Sequence, residues 1–159
     1  MTPASAIYAG RVSHARRGPR PHAFAYRLYL AYLHAHEGRT IKAFEGYREI
    51  FRTAIDENNR GHAAMQLGLL HGSQGDYRRA LACFRWVTIS GLPKRDARFF
   101  VAHFDIGLYY ALLGDEERAL RGFRTLLDQH ADRLSELLEL FASEESLRAV
   151  LENRPNLAE

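Results

Sequence analysis

The chain has 159 residues, of which 47% are hydrophobic and 26% charged, with a formal net charge of +3. This balance is typical of one globular domain with a buried core. Every apolar run is shorter than the roughly 18 residues of a membrane-spanning helix, and residues 1–10 lack the apolar segment of a secretory signal. We therefore expect a cytoplasmic protein. Its single cysteine, Cys83, excludes an internal disulfide and, without a CxxC or Cys/His cluster, a zinc finger.

Residues 1–21 are predicted to be a basic, extended leader. Proline and glycine are frequent there, which disfavours a helix, and the leader contains arginines but no acidic residue. Its arginines are Arg11, Arg16, Arg17 and Arg20. A basic segment of this kind is suited to binding nucleic acid or an anionic surface, although a solvated tail without a binding role is the simpler interpretation. Binding through this leader is the alternative function, and nucleic acid is the less favoured partner.

Residues 22–37 fit either a helix or a strand. Phe24, Tyr26 and Leu28 begin a strict alternation that is typical of a strand. The next segment favours the helix, because Thr40 can cap a helix whose apolar residues recur at three- and four-residue spacing. Those apolar residues are Ile41, Phe44, Tyr47, Ile50, Phe51 and Ala54. A helix over 22–37, turned back at Gly38, supplies the partner that this amphipathic helix needs.

The middle of the chain predicts a second pair of helices. The polar cluster DENNRG at residues 56–61 indicates a turn. A close-packing helix then runs from His62 to about Gly72, and Asp76 caps a second helix that stops before Pro93.

A third pair of helices follows at residues 99–113 and 116–130, the second capped by Asp115. Beyond it, apolar residues separated by acids predict amphipathic segments at 134–141 and 147–151. Such an acidic, amphipathic end is typical of the terminal cap of a repeat array.

The three pairs share landmark residues. Gly38, Gly75 and Gly114 are separated by steps of 37 and 39 residues, and each is followed by an alanine and then an aromatic residue. The full set comprises Leu30-Ala31, Gly38, Ala43 and Tyr47; Leu67-Gly68, Gly75, Ala80 and Phe84; and Ile106-Gly107, Gly114, Ala119 and Phe123. The period is close to the roughly 34 residues of tetratricopeptide (TPR) arrays, and residues 24–130 resemble that family.

The resemblance implies an all-α fold, a right-handed helical-hairpin solenoid of about three TPR-like repeats with C-terminal capping helices. The repeats would cover residues 22–57, 61–92 and 97–130 of a domain over 22–142, followed by a cap or tail over 143–159. Family members usually lack catalytic activity and bind a protein or peptide in a concave groove lined by the first helix of each hairpin.

Helical geometry predicts which residues line that groove. On the face of each first helix opposite its hairpin partner lie Leu28, Tyr32, His36, Met65, Gln66, Leu69, Ser73, Phe104, Asp105, Leu108 and Leu112. This face is mostly apolar and lacks the Lys, Asn and Arg of the carboxylate-clamp members, so we predict an apolar or amphipathic peptide or helix as ligand. For each residue, packing between repeats is an equal alternative. Exposed aromatics such as Tyr29 could instead mark a homo-oligomer contact.

Residues 5–33 separately resemble the start of a bacterial domain-of-unknown-function family often encoded beside lipid-modifying enzymes. The residues that carry this resemblance are Tyr8, Gly10, Arg11, Val12, His14, Pro21, His22, Phe24 and Tyr26. It implies, as a further alternative, a remnant of a lipid-associated enzyme.

Four histidines on the predicted first helices raise the question of a metal site or a general base. They are His34, His36, His71 and His103. Zinc ligands must converge within about 2 to 2.3 Å of one ion, whereas adjacent repeats lie about a helix diameter apart. We therefore predict no catalytic residue, metal or cofactor.

Overall fold

The structure, a computed structural model, describes residues 23–153, apart from the side chains at positions 141, 146, 147, 150 and 151. The predicted basic leader, most of the second family resemblance and the last six residues of the tail lie outside this range. Within it the secondary structure is helical, without a strand. The all-α prediction is confirmed, and the strand alternative for residues 23–33 is wrong. None of the helices in this range is long and apolar enough to cross a membrane.

The helices follow one another with short connections. They are α1 (Ala23–His36), α2 (Thr40–Thr53), α3 (Glu57–Ser73), α4 (Tyr77–Ile89), the short α5 (Leu92–Arg95), a 3-10 turn (Ala97–Phe100), α6 (Val101–Leu112), α7 (Glu116–Gln129), a second 3-10 turn (Ala131–Arg133), α8 (Leu134–Ser143) and α9 (Glu145–Asn153). The described residues group into two compact units, an N-terminal unit up to Leu70 and a C-terminal unit from His71 onward. The predicted single repeat domain and its three repeat boundaries remain a prediction.

Three glycines reverse the chain at equivalent points. Gly38, Gly75 and Gly114 follow α1, α3 and α6 with φ of 74°, 77° and 86°. Glycine adopts this left-handed backbone without the steric cost that a β-carbon brings. The recurring spacing in the sequence therefore corresponds to a recurring helix stop.

The helices that follow these glycines differ in their caps. The side chains of Asp76 and Asp115 accept hydrogen bonds from the backbone N–H groups of Arg79 and Arg118, at 3.2 and 3.0 Å. The prediction that Thr40 caps α2 is wrong. Thr40 is the first helical residue, and the cap position is held by Arg39, whose side chain makes no capping hydrogen bond.

The prediction that the polar cluster at residues 56–61 forms a turn is also wrong. α3 begins at Glu57, five residues before the predicted start at His62. The Asp56 carboxylate accepts a hydrogen bond from the N–H of Asn58 at 2.8 Å, and Arg60 donates to the carbonyl of Phe51 at 3.1 Å. The first bond satisfies a free N–H group at the start of α3, and the second joins the first turn of α3 to a carbonyl near the end of α2, so the polar residues form the first turn of the helix.

The N-terminal unit has its core where α1, α2 and α3 contribute apolar side chains. Phe24, Ile50, Ala54 and Ala63 are buried there, with Leu28 and Phe51 packed against them. The α1–α2 hairpin is tight, since a β-carbon on Gly46 would lie 2.9 Å from the Cβ of Ala31. Ile41 does not join this core as predicted. It is 75% exposed, because it lies on the outer side of α2.

The C-terminal unit is built around α6. Its core contains Phe104 and Leu108 from α6, Phe123 and Leu126 from α7, and Leu137 from α8. The helix α4 also packs against α6, and α9 returns to contact α6. The predicted first helix of the third hairpin is therefore the central helix of this unit.

Candidate functional site

The predicted groove residues fall in both units, six in the N-terminal unit and five in the C-terminal unit, and each set is described within its own unit.

The exposure of the predicted site residues on α1 increases along the helix. Leu28 is packed against the unit's core, whereas Tyr32 is 45% exposed and His36 is exposed. The Tyr32 and His36 rings meet edge to face, with centroids 4.2 Å apart. Tyr26 and Tyr29 are also exposed on this helix. The helix α1 contains no acidic residue. The charged or titratable neighbours of its exposed aromatic side chains on the same helix are therefore all basic.

The α3 residues of the N-terminal unit are partly accessible. Met65 and Gln66 are half-buried, and Leu69 is 45% exposed. Leu69 is therefore an accessible aliphatic side chain on this part of α3. Ser73, at the end of α3 in the C-terminal unit, is exposed.

On α6, three of the four predicted groove residues are buried. Phe104, Asp105 and Leu108 are 1%, 6% and 5% exposed, and Leu112 is half-buried. Phe104 and Leu108 belong to the core described above. For these positions the burial favours the packing alternative, because in this conformation their side chains present almost no surface to a ligand.

Asp105 is an acid inside an otherwise apolar helix. Burial, reinforced by the negative charge of Glu144 at the junction of α8 and α9, raises the pKa of its carboxyl to about 8. Its Oδ2 atom has no hydrogen-bond partner among the described residues. A buried polar group without a partner is costly, so Asp105 is a structural anomaly that calls for a functional explanation.

Tyr109 lies one turn after Asp105 on the same helix. It is buried, and its ring stacks on Phe84 of α4 with centroids 5.4 Å apart. Tyr77 approaches from the start of α4, with centroids 5.7 Å apart. Burial, followed by the charges of Asp105 and Glu144, raises the pKa of the Tyr109 hydroxyl to about 12. Tyr109 is thus held among aromatic rings of α4, and the charges of two acids act on its hydroxyl.

The predicted histidines lie on α1, α3 and α6. Burial and, more weakly, the positive charges of Arg39 and Lys42 lower the pKa of His34 on α1. Burial and His130 lower the pKa of His103 on α6, and the His103 and His130 rings lie 6.0 Å apart. Within residues 23–153 no three His, Cys, Asp or Glu side chains are grouped as metal ligands would be.

The sequence analysis placed Asp105 in the ligand groove and predicted neither its burial nor the effect of Glu144 on it. The signal for Asp105 was present, because an aspartate inside VAHFDIGLYYAL interrupts an apolar helix. For Glu144 there was no local signal, since it is one of several acids in the C-terminal segment.

Comparisons with family models, curated proteins and solved structures gave no match for this chain.

Proposed function

We propose that the chain is a non-catalytic protein–protein interaction module that binds an apolar or amphipathic peptide or helix on the first helices of its hairpins. The observation that carries this proposal is the accessible apolar and aromatic surface on α1 and α3, where Tyr32 and Leu69 are each 45% exposed. The TPR-like landmarks in the sequence support it, because that family binds its partners through these helices.

The proposed surface lies in the N-terminal unit. Tyr32 and His36 provide flat aromatic contacts on α1, and Leu69 with half-buried Met65 provides aliphatic contact on α3. Aromatic anchors surrounded by smaller contacts are the usual source of binding energy in interfaces. An amphipathic helix is the ligand whose apolar face suits such a surface.

The test is a pull-down with a double variant, Tyr32→Ala with Leu69→Glu. We expect at least one protein captured by the wild type to be lost, while circular dichroism and melting temperature stay close to wild type, because both side chains are on the surface. The matched control is Ile41→Glu on α2, which places the same charge at a 75% exposed isoleucine of the same unit. If the double variant captures the same proteins as the control, the proposed surface is wrong.

A further inference from the structure

The outer side of α1 carries a row of aromatic side chains. Tyr26, Tyr29 and Tyr32 are 42%, 48% and 45% exposed. Their three-residue spacing, continued by exposed His36 four residues later, places them along one side of the helix. The other side packs inward, because Ala31 on it is buried. These four aromatic residues are called the aromatic face of α1.

The helix α8 of the C-terminal unit has two apolar sides. One side belongs to the core of the unit, where Leu137 is fully buried and Leu140 packs against it. On another side, Leu134 and Leu138 are four residues apart and are 50% and 58% exposed. Neighbouring exposed leucines on one helix side are a candidate contact surface. These two residues are called the leucine face of α8.

The two faces lie in segments of opposite charge. The helix α1 contains Arg27 and no acidic residue, and residues 1–36 contain five arginines and no acid. The helix α8 contains Glu136 and Glu139, both exposed, and no basic residue. Residues 134–153 contain five acids and one arginine.

These charges favour a contact between unlike faces. Opposite charges steer two surfaces together, whereas two copies of α8 facing each other would bring like charges together. The tyrosine hydroxyls of α1 can also donate hydrogen bonds to carboxylates. One chain therefore carries both halves of a complementary pair, so the partner that fits each face is another copy of the same chain.

We propose that the aromatic face of α1 binds the leucine face of α8 in a second copy of this chain. The inference rests on the proposed function and names its ligand, because α8 is an amphipathic helix and Tyr32 belongs to the surface proposed above. The contact is heterologous, so each copy uses α1 toward one neighbour and α8 toward another, and association continues into rings or open chains. Since both faces are small, the association is weak and depends on concentration.

The test is sedimentation equilibrium of the full chain from about 10 μM to about 1 mM, the range in which a small interface associates. We expect the average mass of the wild type to rise above that of one chain. Tyr29→Glu on α1 and Leu138→Glu on α8 should each keep the protein monomeric, because each places a negative charge in the contact. An equal mixture of the two variants should form a one-to-one pair and nothing larger. In that pair the intact α1 of one variant binds the intact α8 of the other.

Matched controls place the same charge outside both faces. Ile55→Glu in the N-terminal unit and Ile89→Glu on α4, at isoleucines that are 84% and 77% exposed, should associate as the wild type does. Circular dichroism checks that Tyr29→Glu and Leu138→Glu keep the fold. A monomeric wild type, a single face variant that still associates, or a mixture that stays monomeric would overturn the inference.

Two further outcomes separate this inference from its alternatives. If the wild type stays monomeric and binds a single-stranded oligonucleotide that Tyr29→Glu no longer binds, the occupant of α1 is nucleic acid and the inference is wrong. If the wild type stays monomeric and the pull-down with Tyr32→Ala and Leu69→Glu still loses a protein, this inference alone is rejected and the proposed function stands.

Discussion

The hydroxyl group of Tyr109 on α6 lies directly against the backbone of Gly72 near the end of α3. A β-carbon on Gly72 would overlap the hydroxyl oxygen and would lie 2.6 Å from the ring carbon Cζ. The same ring stacks on Phe84 and is therefore held from a second side. Gly72 is thus needed for close approach, and the ring cannot move away without leaving its contact with α4.

Gly72→Ala should lower the free energy of unfolding by about 1 to 3 kcal/mol, because overpacking forces the Tyr109 ring out of its position. Urea denaturation measures the change. Tyr109→Phe in the same chain should recover part of the loss by removing the overlapping oxygen, and Ser73→Ala, at the exposed next residue, should change stability by no more than about 0.5 kcal/mol. A Gly72→Ala protein as stable as the wild type would show that α3 and α6 are not in this contact in solution.

Asp105 should make stability decrease as pH rises. The unfolded chain releases the Asp105 proton near pH 3.8, whereas the folded chain keeps it until about pH 8. Between these values the folded state binds more protons than the unfolded state, so this group lowers the free energy of unfolding by up to about 1.4 kcal/mol per pH unit. Above about pH 8 its contribution is constant.

Denaturation of wild type and Asp105→Asn from pH 5 to pH 9 tests this dependence. The variant should gain stability relative to the wild type as pH rises, because asparagine does not ionise. Asp128→Asn at an exposed position of α7 controls for the loss of one negative charge. Parallel stability curves for wild type and Asp105→Asn would contradict a raised pKa at this site.

A missing helix cap can be supplied at Arg39. Its backbone angles, φ −84° and ψ 62°, are close to those of the capping residue Asp76, φ −87° and ψ 72°. Arg39→Ser should therefore place a hydroxyl where it accepts a backbone N–H of α2, and should stabilise the protein by about 0.5 to 1 kcal/mol relative to Arg39→Ala.

Arg39→Ser and Arg39→Ala both lose the ion pair between Arg39 and Glu37. The difference in stability between these two variants therefore measures the cap alone. Asp115→Ala should have the opposite effect, about 1 kcal/mol less stable than the wild type, because it removes an existing cap. Thermal melts of Arg39→Ser, Arg39→Ala and Asp115→Ala measure these differences in stability. Equal melting temperatures for the serine and alanine variants at position 39 would refute the capping prediction.

What the sequence determined by itself is the local structure. Gly38 was predicted as a reversal, Gly75 and Gly114 as equivalent landmarks, and Asp76 and Asp115 as caps, because these roles depend on backbone conformation and on neighbours within a few residues. The alanines at positions 43, 80 and 119, which recur as landmarks in the sequence, are all buried in the structure. The start of α3 was missed, because a polar run can form a turn or a capped first turn with equal ease.

Only the tertiary structure decided which helix faces are covered. Helical periodicity indicates that Phe104 and Leu108 share a face, but it does not reveal whether a ligand or the chain's own α7 and α8 will cover it. The negative charge of Glu144 acts on the buried carboxyl of Asp105 although the two residues are far apart in the sequence, and no local pattern encodes such an effect. Burial and charge then act on the pair together, so the altered pKa of Asp105 is a property of the packed C-terminal unit and of no single segment.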